Sequence, residues 1–282
     1  MDPDPDNVSV SPIDYRYGRP EAKAIWSREG RHSRQLAVER ALVSAHAKMG
    51  RVSAEHDDEI GRISVPEIVT ADRVDEIEQV TRHDIMALTK AMAEQAGDAA
   101  WCIHLGATSN DIVDTAVALQ IKDSLSMQKD ALSALIGTLS ELADRERDTV
   151  MLGRTHGQAA VPITFGLKIA VFIDEFVRHY ERLLEAERRV TAGKFLGAVG
   201  TGAAQGEGAM ELQRLILESL GLTVPVATTQ VVGRDRYIEW VSWMANTATS
   251  VEKLLQEIRN LQRSEIGEVS EWFDVKNQVG SS

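Results

Sequence analysis

Three stretches of this chain repeat apolar residues in steps of three and four over roughly 30 to 40 positions, far beyond the mean globular helix of about 11 to 12 residues. The first runs over 111–148 through Ile112, Ala116, Leu119, Leu132, Leu135, Leu139 and Leu142. The second occupies 162–190 through Phe165, Ile169, Phe172, Phe176, Tyr180 and Leu183, and the third 234–264 through Ile238, Val241, Ala245, Ala248, Leu255 and Ile258. A helix of that length with a continuous apolar stripe must pack lengthwise against others of its kind, so the pattern predicts a helix bundle. No stretch sustains the period-two alternation of a half-buried strand, and the expected fold class is all-α.

Around these stretches the chain divides in composition. Residues 1–15 hold three prolines and four aspartates and read as an acidic, extended N-terminal arm. Residues 16–105 read as a small N-terminal helical domain, with helices expected over 21–49 (ended by Gly50), about 53–62 and 70–96, the last interrupted by Thr81-Arg82-His83-Asp84. Residues 106–282 read as the long-helix bundle domain. Gly193–Gly208 is rich in glycine, but Gln205 stands where a dinucleotide-binding G-x-G-x-x-G would need its third glycine, and no strand pattern leads into it. A tight loop between long helices is the expectation there, with an extended connector over Leu222–Val232.

Charge and cysteine content narrow the function. With 43 acidic against 31 basic residues and a net charge of −12, nonspecific binding to nucleic acid or to anionic membranes is disfavoured, although a few local donors still suffice for a small anionic substrate. No window reaches the roughly 18 apolar residues of a membrane span. The single cysteine, Cys102, forms no intrachain disulfide, Cys and His never fall at metal-ligand spacing, and a reducing cytoplasm is the expected compartment.

Four polar clusters interrupt the helical pattern at predicted helix ends, where functional groups tend to concentrate. Thr108-Ser109-Asn110-Asp111 is suited to cap the helix that follows, and its hydroxyls and free N–H groups are equally suited to cradle a carboxylate. Arg82-His83-Asp84 sets a carboxylate beside an imidazole, or is plain surface polarity. In Gly153-Arg154-Thr155-His156-Gly157 a loop is expected to run into a helix starting at Pro162, leaving His156 either an ordinary polar loop residue or a functional one. The last cluster, Gly280-Ser281-Ser282, reads by itself as a flexible tail.

The chain resembles the adenylosuccinate lyase family of the fumarase/aspartase superfamily from Arg16 to Ser282. The resemblance is carried by R-Y-G-R-P-E at 16–21, T-R-H-D at 81–84, G-A-T-S-N-D-I-V-D-T-A at 106–116, G-R-T-H-G-Q at 153–158 and P-I-T-F-G-L-K at 162–168. It continues in G-A-V-G at 197–200, T-Q-V-V-G-R-D-R at 229–236 and L-Q-R-S-E at 261–265. It implies a fumarase-type helical bundle and cleavage of adenylosuccinate to AMP and fumarate, and of the succinyl-carboxamide ribotide earlier in purine synthesis, without metal or organic cofactor. It further implies a homotetramer whose active sites are shared between subunits.

The same resemblance implies a role for each cluster. Arg16 and Tyr17 would hold the nucleotide phosphate, and Arg82, His83 and Asp84 the ribose and phosphate side. Thr108 and Ser109 would grip a succinyl carboxylate, Thr155 and Gln230 would position the substrate, and His156 would protonate the departing nitrogen. Ser281 or Ser282 would be the base. Two departures stand out: Ala159 replaces a histidine that many members carry, and the M-P-x-K-x-N-P that follows Gly-Ser-Ser in the family lies beyond Ser282. The chain is therefore expected to be a cleaved, engineered or partly recorded one, with little turnover if the polypeptide stops there. The alternatives are another superfamily enzyme, such as a carboxymuconate cycloisomerase or argininosuccinate lyase, and a noncatalytic helical assembly fragment.

Overall fold

The structure, a computed structural model, describes residues 16–274 and 276–278. The 1–15 arm lies outside the described residues. Chain order is α1 (Pro20–Trp26), α2 (Arg28–Lys48), α3 (Ala54–Ile63), α4 (Ala71–Thr81), α5 (Asp84–Ala93), a 3-10 turn (Gly97–Cys102) and α6 (Ser109–Arg145). There follow β1 (Val150–Thr155), β2 (Gln158–Thr164), α7 (Phe165–Val190), a short 3-10 turn (Ala203–Gln205), α8 (Ala209–Ser219) and α9 (Asp235–Leu261). The fold is helical, as expected, with one two-stranded sheet added.

Local capping accounts for most helix starts. The hydroxyls of Ser27, Ser53 and Thr70 accept the N–H groups of Gly30, His56 and Arg73, each satisfying an orphan donor of a first turn. Ser27 thereby breaks the single helix expected over 21–49 into α1 and α2. Arg82, at φ 54°, ends α4, and His83 caps α5 in the next step, so the polar interruption of 70–96 is a real helix junction. Helix α8 follows the glycine-rich segment and was not anticipated from periodicity.

The chain forms two compact units, one of Met1–Gln128 with Ala186–Ile238, the other of Lys129–Glu185 with Glu239–Ser282. The first unit's core joins Leu36, Leu42, Ile60, Ile63, Ile85, Leu88 and Met92 to Ile112, Phe195, Leu212 and Ile216, all buried. Each such side chain contributes about 1.5–3 kcal/mol on leaving water. Long-range polar bonds fix the register: Gln120 donates to the Ile25 carbonyl at 2.7 Å, and the Trp26 indole to Ser124 at 3.0 Å. In the second unit Phe176 and Leu183 of α7 and Trp243 and Leu254 of α9 are buried. His179 bonds the Ser250 hydroxyl at 2.8 Å, and the Trp243 indole donates to the His179 carbonyl at 2.9 Å, pinning these two helices.

The stretch around His156 corrects the sequence expectation. It is an antiparallel hairpin pairing Val150 with Thr164, Leu152 with Pro162 and Thr155 with Gln158. His156 (φ 56°) and Gly157 (φ 72°) form its two-residue turn, and two successive positive φ values are what a hairpin turn matching strand twist requires. Pro162 sits within β2, not at a helix start, and α7 begins at Phe165 with the Thr164 hydroxyl accepting the Leu167 N–H at 3.1 Å. A Cβ on Gly153 would come within 2.5 Å of the Val161 carbonyl, so glycine is needed for the close approach of the strands.

Ahead of α6 the backbone is held in an uncommon shape. His104 has φ 59°, a conformation worth about 1–3 kcal/mol of strain for a non-glycine residue. The fully buried Glu39 secures it, accepting from the His104 N–H at 3.1 Å and contacting its Nδ1 at 2.7 Å, while Gln205 donates to the Leu105 carbonyl at 2.9 Å. Burial pulls the His104 pKa down, but the hydrogen bond and charge of Glu39, with the charge of Asp111, outweigh it and leave the pKa raised. A raised folded pKa means that the stabilisation is complete below the unfolded value, near 6.5, and is lost as pH rises through the folded value. The melting-temperature difference between wild type and His104→Gln is therefore expected to be larger at pH 6 than at pH 9; a difference independent of pH would contradict the ionic link.

Candidate active site

The first turns of α6 organise the polar residues of the first unit. Asp111, the third residue of the helix, accepts the Thr108 N–H at 2.9 Å through Oδ2, a side-chain cap that satisfies one orphan donor. Its other oxygen meets the ammonium of Lys194, and both side chains are buried. Lys194 Nζ also donates to the Gly197 carbonyl at 3.1 Å. The Thr115 hydroxyl accepts the Lys194 N–H at 3.1 Å and lies 3.2 Å from its carbonyl. The glycine-rich segment is thus laid along the start of α6 by side chains of the helix itself.

Asp114 does the same for the 229–236 connector. Its carboxylate accepts the Val232 N–H at 2.7 Å and the Arg234 guanidinium at 3.0 Å. Arg234 in turn lies over the Tyr237 ring, 5.0 Å from its centroid, and donates to its hydroxyl at 3.1 Å. Burial, with the Asp114 charge adding to it and Arg234 opposing, pushes the Tyr237 phenol up to about 12. Tyr237 is consequently a neutral hydrogen-bonding group at physiological pH.

His83 brings a second predicted cluster to this helix end. Its Nδ1 accepts the Met86 N–H at 3.3 Å, which caps α5 and leaves the proton of a neutral ring on Nε2. Nε2 lies 3.4 Å from the Ser109 hydroxyl, so His83 presents a donor beside Ser109. Asp84 accepts its neighbour's N–H, from Ile85, at 2.7 Å and approaches Arg31 at 3.6 Å. Thr108, Ser109, His83 and Asp84 therefore form one neighbourhood, with Arg82 exposed at its edge.

The remaining predicted residues are dispersed. Arg16 and Tyr17 are exposed and stack on each other, guanidinium carbon to ring centroid 5.6 Å, and Gln230 is exposed on the connector. Among the described residues no hydrogen bond joins these three to the Ser109 neighbourhood. Thr155 and His156 are exposed at the hairpin tip in the second unit, where Arg154 makes a two-pronged ion pair with Glu268 at 2.7 and 3.0 Å. Ser281 and Ser282 lie outside the described residues.

The sequence offers Asp111 as part of a helix cap, and gives Asp114 and Lys194 no role of their own. The T-x-x-D spacing of Thr108 and Asp111 is a legible capping signal, and a lysine set between Gly193 and Phe195 in a largely apolar loop is a legible anomaly. What no spacing reveals is that the two meet across 83 positions. Among the described residues no group of three or more His, Cys, Asp or Glu is placed to hold a metal, and no helix is long and apolar enough to cross a membrane.

The profile of a lyase family matches residues 14–282. The chain is 47% identical over 276 residues to the adenylosuccinate lyase of Methanothermobacter thermautotrophicus, covering 98% of this chain and 62% of that protein. It is 48% identical over 275 residues to the adenylosuccinate lyase of Pyrococcus abyssi, again covering 98% of this chain but 61% of the relative. Among solved structures, a fumarate lyase from Mesorhizobium sp. BNC1 superposes with a TM-score of 0.82 at 34% identity, over 90% of this chain and 61% of that one. A 3-carboxy-cis,cis-muconate lactonizing enzyme from Pseudomonas putida gives 0.83 at 32% identity, over 90% and 59%. The chain spans about three fifths of the length of each of these proteins. With its helical fold and a family match across nearly its whole length, the chain belongs to this lyase family.

Proposed function

We propose that this chain carries part of the active site of a lyase that cleaves adenylosuccinate to AMP and fumarate, and the succinyl-carboxamide ribotide to AICAR and fumarate, by anti β-elimination. The observation that carries the reading is the built N-terminus of α6, where the Ser109 hydroxyl, next in sequence to Thr108, lies beside a His83 donor within a chain 47–48% identical to two adenylosuccinate lyases.

The chemistry calls for these groups. A serine alkoxide from Ser281 or Ser282 removes a proton from the succinyl carbon next to a carboxylate. That C–H electron pair becomes the double bond of fumarate, and the C–N pair leaves on the purine nitrogen, which takes its proton from His156. Negative charge builds on the carboxylate beside the deprotonated carbon, so hydrogen-bond donors must already be in place there. The helix-end N–H groups with the Thr108 and Ser109 hydroxyls supply them. His156, on a two-residue turn with an exposed ring, is free to approach a bound substrate, and an imidazole suits proton transfer near neutral pH.

Arg16 and Tyr17 hold the phosphate in this reading, Arg82, His83 and Asp84 its ribose side, and Thr155 and Gln230 the substrate between them. No cofactor takes part. The working form is a cytoplasmic homotetramer whose sites draw on several subunits. A cycloisomerase reading has the likeness to the lactonizing enzyme in its favour, at the lower identity of 32%. The ultraviolet spectrum of the full-length protein mixed with adenylosuccinate separates the two, because only the lyase converts it to AMP and fumarate.

Two substitutions test the roles. His156→Gln is expected to lower kcat about 10²–10⁴-fold with KM changed only a few-fold; steady-state kinetics showing unchanged kcat would remove His156 as the acid. Arg16→Ala is expected to raise KM about 10- to 100-fold, the worth of one charge-assisted contact, with kcat largely retained. An unchanged KM would remove the phosphate assignment.

A further inference from the structure

We propose that Lys194 is a positioning residue that cancels the charge of Asp111 and so keeps the N-terminus of α6 receptive to an anion. The inference rests on the reading above, in which Thr108 and Ser109 receive a substrate carboxylate.

A helix N-terminus attracts an anion through its partial positive charge and free N–H groups. In this chain the attraction is contested from within. Asp111 stands in the first turn, its carboxylate is bonded to the Thr108 N–H at 2.9 Å, and a second carboxylate arriving at Thr108 and Ser109 would meet a like charge a few ångströms away. Lys194 removes that conflict. Its ammonium is in direct contact with Asp111, both side chains are buried away from screening by water, and no other carboxylate is paired with it among the described residues. The Thr115 hydroxyl clamps the Lys194 backbone, and the Gly197 carbonyl accepts a second hydrogen bond from the ammonium, so the cation is held in one place. The cap on Thr108 is retained, its charge is neutralised, and the field of the helix is left for the ligand.

An ion pair that merely holds the fold together makes a different prediction from one that manages charge at a ligand site. The discriminating readouts are the competitive inhibition constants of the two products in the full-length enzyme. Lys194→Met exposes an incoming dicarboxylate to Asp111, and the fumarate constant is expected to rise about tenfold or more while that of AMP stays within twofold. Adding Asp111→Asn to Lys194→Met removes the offending charge while leaving an oxygen to cap Thr108, and is expected to bring the fumarate constant back to within threefold of wild type. A folded double variant that still binds fumarate tenfold more weakly overturns the proposal, as does a Lys194→Met enzyme in which fumarate and AMP weaken equally.

If Lys194→Met does not fold, as judged by circular dichroism, Asp111→Asn alone decides the matter. It leaves the cation unopposed and is expected to hold fumarate as tightly as wild type or more so; a tenfold loss in the folded variant overturns the proposal. Wild-type protein that neither cleaves adenylosuccinate nor is inhibited by fumarate overturns the lyase reading itself, a result distinct from active enzyme whose fumarate constant ignores Lys194.

Discussion

The arrangement of the first unit depends on the buried contact between Lys194 and Asp111. Two charges removed from water cost several kcal/mol each, and removing one partner of such a pair is typically destabilising by about 3–5 kcal/mol. Leaving either charge buried without the other is costly, so the contact favours laying the glycine-rich segment along the start of α6. Asp114 and Thr115 follow one turn later on the same face of the helix, Asp114 binding the connector at Val232 and Arg234, Thr115 binding the backbone of Lys194. Residues 108–116, 193–200 and 229–236 are remote in sequence and share no apolar pattern. They are brought together by three polar side chains spaced so that one helical face presents them all.

That face explains a division of labour within α6. Its inward polar residues are spent on other segments of the same chain, and its apolar residues, Ile112, Ala116 and Ala118 among them, fill the core. Thr108 and Ser109 remain at the terminus, only partly buried, with His83 as their neighbour. Behind them Glu39 holds His104 in its left-handed conformation and Gln205 holds Leu105, which limits the freedom of the turn that enters the helix. A carboxylate subsite made of a helix end works only if the donors are already oriented, since reorganising them during the reaction would forfeit the stabilisation. His156 belongs to the second unit and stands on a different kind of support, the tip of a two-stranded hairpin whose register shifts between Leu152 and Arg154.

Much of this was legible in the amino-acid order because helix physics is local. Stripes of three and four located α6, α7 and α9 within a few residues, and the capping residues from Thr108 to Asp111 marked the start of α6. The hairpin was missed for an equally physical reason. Most of β2 faces solvent, from Gln158 through Pro162, so no alternation of apolar and polar residues betrays it. The readable sign was the turn, His156-Gly157, in which a histidine and a glycine both take positive φ. Pro162 misled because proline suits both a first helical turn and an edge strand. Ser27 was overlooked as a cap inside an apolar periodicity that continues on either side of it. The Lys194 contact was out of reach, being a consequence of the fold and of no local pattern.

In the proposed reading a substrate carboxylate lands on the α6 terminus, preset by Asp111 and Lys194. A crystal structure of the full-length protein with fumarate tests it most directly. One fumarate carboxylate is expected within hydrogen-bonding distance of the Ser109 hydroxyl or backbone N–H and of the Thr108 hydroxyl, with the Lys194 contact to Asp111 intact. Fumarate bound elsewhere, with Thr108 and Ser109 untouched, would contradict it.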